Sequence, residues 1–213
     1  MPKIPASERD AFYETRRRDL SEVALRLWAE RGVERTSVAA IADEAGIAKG
    51  TFYLYYESKQ ALLLDVLRRN SLVPNVLGLI EDLQRKSLDE AVREFVRGAW
   101  GHLAGHRDLV LVVMRELPTH LEQAQEFVEQ LMVPGSRALA SHLETLMAPE
   151  RATQLSTALA VRALIGMVIT AFVTQELMGA KRWVPLSDAE IVETIAELFL
   201  RGVAPLTEEV EPA

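Results

Sequence analysis

Apolar residues recur along this chain at the three-to-four spacing of helices, and no segment alternates apolar and polar residues as a strand would. Leu20, Val23, Ala24, Leu27 and Trp28 form the first stripe. It predicts a helix from about residue 7 or 10 to residue 31, stopped at Gly32. Val38, Ile41, Ala42 and Ala45 form a second, shorter stripe that Ser37 can cap and Gly46 can end. Ile47 then plugs the angle to a third helix, predicted over residues 49–55, with Phe52 and Tyr56 inward. A fourth opens at Ser58, runs to about residue 70 and carries Leu62, Leu63, Val66 and Leu67.

The rest also reads helical. Helices are expected over residues 75–86, over 87–104 behind the capping box Ser87–Glu90, and over 107–117 ahead of Pro118. Another is expected over 119–147, with Pro134-Gly135 as a break or kink, and a long one from Pro149 to about 178. A second capping box, Ser187–Glu190, opens a last helix to residue 201. The last two helices are apolar on more than one side, which calls for a deep core or for a second copy of the chain.

Residues 36–59, TSVAAIADEAGIAKGTFYLYYESK, carry the chemistry. Two short helices meet at a tight glycine turn, and the second leaves Lys49, Gly50, Thr51, Tyr53, Leu54 and Tyr55 outward or on its flanks. Gly50 near a helix start lets a phosphate backbone approach closely. Thr51 and Tyr53 offer hydroxyls, and Lys49 and Lys59 offer charge. The segment resembles the DNA-binding signature of the TetR family of bacterial transcriptional regulators. The resemblance rests on Ala42 to Gly46, on Gly50-Thr51-Phe52-Tyr53, on the pair Tyr55-Tyr56 and on Ser58-Lys59. It departs at Ala48, where a serine is common, so a side-chain cap is expected to be missing at a cost of about 1 kcal/mol. It departs again at Tyr56, where phenylalanine is usual, so the hydroxyl needs a partner.

The resemblance implies an all-α protein. Residues 1–57 would form a three-helix, helix-turn-helix DNA-binding domain, residues 58–204 a larger helical effector-binding and dimerisation domain, and residues 205–213 a disordered tail. It implies DNA contacts from Arg16, Arg17, Arg18, Thr36, Ser37, Ala48, Lys49, Gly50, Thr51, Tyr53, Leu54, Tyr55 and Lys59. Phe95, Trp100, Met114, Phe127, Leu131, Met132, Met147 and Phe172 are the effector-lining candidates, although any one of them also reads as ordinary core. Leu159, Ala163, Gly166, Met167, Thr170, Ile191, Ile195, Leu198 and Phe199 are the dimer-interface candidates. The implied function is a homodimeric repressor that binds a palindromic operator and is released by a small, largely apolar effector. An activator, or a ligand-independent DNA-binding protein with the same head, reads equally from these residues.

Charge first argues against DNA, because the net value is −7. Its distribution removes the objection. Residues 1–60 hold 10 basic and 10 acidic side chains, and the remainder holds 14 and 21, so the whole acidic excess lies outside the expected head. There is no cysteine, which excludes disulfides and thiolate metal sites. His102 and His106 are four apart, but Gly105 is expected to end the helix between them, and His120 and His142 stand alone. No nucleophile–base motif, phosphate loop or metal cluster is evident, so neither an enzyme, a cofactor nor a metal is expected. The polar N-terminus does not read as a signal peptide, and the longest uncharged run, residues 163–175, is 13 long, short of the ~20 a bilayer requires. A soluble, cytoplasmic protein is the expectation.

Overall fold

The computed structural model describes residues 6–70, 86–119, 121–146 and 156–203, and its regular elements there are all helical. They are α1 (Ala6–Arg31), α2 (Val38–Glu44), α3 (Lys49–Phe52), α4 (Lys59–Arg69), α5 (Leu88–Gly105), α6 (Arg107–Glu116), α7 (Leu121–Phe127), α8 (Val133–Leu146), α9 (Thr157–Phe172) and α10 (Asp188–Val203). They divide into two compact units, one of α1–α4 with α6 and α7, the other of α5 and α8–α10.

The first unit is built around α1. Its stripe of Leu20, Ala24, Leu27 and Trp28 is buried, with α2, α4 and α6 packed against the helix. Gly32 ends α1 in a left-handed conformation at φ 89°, and Gly46 ends the α2 turn at φ 67°. Ser37 caps α2 by accepting from the Ala40 N–H at 3.1 Å, as its position predicts. The unit extends beyond the expected residues 1–57, taking in α4 and residues 106–129.

In the second unit, α5 packs against α9 and α10, and α8 against α9. Phe95, Trp100, Val161, Leu164, Val168, Phe172, Ile191, Ile195 and Phe199 form its core. Both capping boxes are present: Glu90 accepts from Ser87 N–H at 3.0 Å and Glu190 from Ser187 N–H at 2.8 Å.

Three sequence expectations change. The helix predicted over 49–55 is a single turn, Lys49–Phe52, continued as turns. Pro134 does not break its helix; it sits in the first turn of α8, where its missing N–H matters least, and the irregularity is a π-helical turn at Val128–Met132 just before it. The apolar run is also longer than a count of uncharged residues indicates. Thr157–Leu177 is 21 residues of helix with a mean hydropathy of 1.9, long and apolar enough by length and composition to cross a membrane. Arg162 and Glu176 lie within it and bound the uncharged run. Only 28% of that apolar window is buried in the chain. Residues 75–86, the start of the long helix at 149 and the tail from 205 lie wholly or mostly outside the described residues.

Candidate nucleic-acid interface

The second helix of the helix-turn-helix packs by its inner face. Phe52 and Tyr56 are buried at 0% and 3% exposure, ring centroids 5.9 Å apart. Ala48 makes no side-chain cap, as expected from its identity. The Tyr56 hydroxyl donates to the Asp65 carboxylate and contacts the Arg17 carbonyl at 3.0 Å. Asp65 also pairs with Arg17 at 3.1 Å and with Arg69 at 2.6 Å, so α1, α4 and the end of the reading segment share one buried-edge network.

The phenol of Tyr56 is accordingly hard to ionise: burial first, then its bond to Asp65, pushes its pKa up to about 12. The folded state holds the proton more tightly than the unfolded chain, whose phenol titrates near 10. Stability from this group is therefore complete below about pH 10 and lost as pH rises through about 12. Urea titrations at pH 9 and pH 12 should show that loss, and Tyr56→Phe should reduce it; an unchanged pH dependence in the variant would assign the loss elsewhere.

What remains outward forms one surface. Tyr53 is 50% exposed and Leu54 70%, while Lys49 and Gly50 are exposed and Thr51 half-buried. A Cβ built on Gly50 meets nothing within 4 Å, and its backbone is ordinary helix. A helical glycine is disfavoured by about 1 kcal/mol against alanine, and no contact among the described residues calls for one here.

Several expected DNA-contacting side chains are already engaged within the protein. Lys59 donates to the carbonyls of Val33 at 2.7 Å and Thr36 at 3.4 Å. The Thr36 hydroxyl is buried and donates to Gly32 at 2.7 Å, and Ser37 is the α2 cap. Arg17 lies over the Tyr56 ring at 4.8 Å and pairs with Asp65. Arg16 is half-exposed, 3.7 Å from Asp19, and Arg18 is exposed. Tyr55 stacks on Tyr13 at 5.0 Å.

Two residues with no sequence-level motif complete the site from α6. Arg115 donates to the carbonyls of Trp28 and Ala29, and Glu116, buried, accepts from the Val33 N–H at 3.2 Å and from Arg115 at 2.8 Å. With Lys59 and Thr36 they clasp the α1–α2 link. The available signal was Glu116 itself, a carboxylate four residues beyond Val112 on an apolar face.

The expected effector residues are divided between the two units. Phe95, Trp100 and Phe172 sit in the core of the second unit, Trp100 edge-on to Phe172 at 5.4 Å. Met114 and Phe127 belong to the first unit, and Met114 is 49% exposed. Met132 is also exposed. Met147 and the side chain of Leu131 lie outside the described residues. Of the expected dimer residues, Leu159, Ala163, Thr170 and Leu198 are exposed and Gly166 and Met167 half-buried, whereas Ile191, Ile195 and Phe199 are spent on the chain's own core. The last helix therefore faces α5 with the stripe that its sequence offered to a partner.

A short, uncapped helix set at a glycine turn, with its inner face packed and its outer face polar and open, defines a helix-turn-helix head. Residues 20–66 match the bacterial regulatory proteins of the tetR family. The chain is 30% identical over 115 residues to the HTH-type transcriptional regulator YerO of Bacillus subtilis, covering 52% of this chain and 40% of that protein. It is 35% identical over 74 residues to the HTH-type transcriptional repressor KstR2 of Rhodococcus jostii, covering 35% of each. Among solved structures it is similar to the transcriptional regulator FadR of Bacillus subtilis in complex with stearoyl-CoA, with a TM-score of 0.64 at 22% identity, over 86% of this chain and 97% of that one. The helix-turn-helix head, residues 20–66, is therefore of the TetR type. The chain's match to YerO and KstR2 spans about two fifths or less of their length.

Proposed function

We propose that this protein is a homodimeric, ligand-responsive transcriptional repressor that binds a palindromic operator and leaves it when a small, largely apolar effector binds. The observation that carries the reading is the outward surface of α3: Lys49, Gly50, Thr51, Tyr53 and Leu54, with a glycine that the protein's own packing does not require. Lys49 and Leu54 point to base edges, Thr51 and Tyr53 to phosphates, and Arg16 and Arg18 flank them. Lys59, Thr36 and Arg17 act by holding the head in shape: the Lys59 ammonium and the Thr36 hydroxyl donate to backbone carbonyls, and Arg17 pairs with Asp65.

Repression is supported by the KstR2 relative, and an apolar effector by the fold shared with FadR, which was solved with stearoyl-CoA. Dimerisation is supported by α9. Val161, Leu164, Val168 and Phe172 face the core, while Leu159, Ala163, Gly166 and Thr170 form a second face that the chain leaves largely open. A second copy is the partner that suits a two-half-site operator.

Gly50→Ala separates fold from function. The variant should be as stable as the parent or gain up to about 1 kcal/mol, while operator affinity falls about tenfold because a methyl group meets the DNA backbone. Thermal melts and fluorescence-anisotropy titrations measure the two. Undiminished affinity would remove Gly50, and the docking face built on it, from the account. Lys59→Ala should show the opposite pattern, a loss of about 1–2 kcal/mol of stability from the two unmade hydrogen bonds.

A further inference from the structure

The segment that presents Tyr53 and Leu54 has little holding power of its own. Four residues of helix make barely one turn, too few to persist unaided, and Ala48 contributes no cap. Only Phe52 and Tyr56 anchor it from within. One further support reaches it from α1. The Tyr13 hydroxyl donates to the Leu54 carbonyl at 2.9 Å and lies 3.5 Å from that of Tyr55, and its ring rests against the Tyr55 ring at 5.0 Å. These two carbonyls follow the last helical residue, where helix termini leave acceptors unpaired. Tyr13 is 38% exposed, so burial alone does not account for a tyrosine there. It also lies outside the residues 20–66 that match the family.

We infer that Tyr13 is a positioning residue for sequence discrimination: its hydroxyl fixes the turn at residues 53–55 and so the direction in which Leu54 and Tyr53 meet the DNA. The inference rests on the DNA-binding function proposed above. A prop of this kind acts on discrimination more than on grip. A loosened turn can still make phosphate contacts, which tolerate small displacements, but cannot hold an apolar side chain against one base edge.

Tyr13→Phe tests it, since the variant keeps the ring and loses the two-carbonyl contact. Affinities for the selected operator and for the same operator with one half-site base pair changed are measured for parent and variant across salt concentrations. Amide exchange over residues 51–57 is followed in the absence of DNA. The expected result is a discrimination ratio about three- to tenfold lower, an unchanged salt slope, and faster exchange at Leu54, Tyr55 and Tyr56, whose N–H groups bond to Thr51 and Phe52. An unchanged ratio would overturn the inference. So would uniform weakening with a salt slope smaller by about one, which would place the hydroxyl on a phosphate instead. Should the parent protein select no DNA sequence, the function proposed above fails, and the exchange rates still decide separately whether Tyr13 holds the turn.

Discussion

Glu116→Ala is expected to lower the unfolding free energy of the protein by about 2–4 kcal/mol, more than any polar substitution on its exposed surface. The carboxylate is 6% exposed and is the acceptor for the Val33 N–H, just past the end of α1. Removing it leaves a buried donor without its partner and deprives Arg115 of the carboxylate that aims it at the α1 carbonyls. Urea denaturation gives the number, with Glu116→Gln, which retains an acceptor, losing less. Equal midpoints for parent and Glu116→Ala would mean that the clasp contributes nothing and that α1 ends correctly by itself.

Leu159→Arg combined with Ala163→Arg is expected to abolish dimerisation and to reduce operator affinity by about 10²–10⁴-fold, the factor that two linked heads gain over one. Both positions are exposed in the chain, so two arginines can be solvated there without disturbing the core residues Val161 and Leu164 on the other side of α9. Sedimentation at micromolar concentration should show a dimer for the parent and a monomer of unchanged helicity for the variant. A monomeric parent that partitions into detergent would instead mean that a membrane covers this face, which the length and apolarity of Thr157–Leu177 also permit.

The parts of this molecule that were legible in its sequence are those fixed by neighbours in the chain. Ser37, Gly32, Gly46 and both capping boxes act within four residues of themselves, and each stands as its type predicts. The inner pair Phe52 and Tyr56 was likewise readable from a spacing of four. What could not be read was the destination of long polar side chains. Lys59 offers only a charge by sequence, whereas in the fold its ammonium donates to the Val33 carbonyl, 26 positions earlier, at 2.7 Å. Arg17 belongs to a basic run by sequence and to the Asp65–Tyr56 network by structure. Glu116 and Tyr13 act across 83 and 41 positions, beyond any local signal. The apolar faces were visible, but not how each was spent: α10 turns its stripe to α5, and α9 keeps one open.

On the function proposed above, residues 49–54 read DNA. Selection of bound fragments from a random duplex pool tests it most directly, with the parent protein and with Lys49→Ala and Leu54→Ala run in parallel. The expected result is an inverted repeat with half-site centres one helical turn or a multiple apart, and altered base preferences at defined positions in each variant. Recovery of no sequence motif by the parent, or of the same motif by all three proteins, would contradict it.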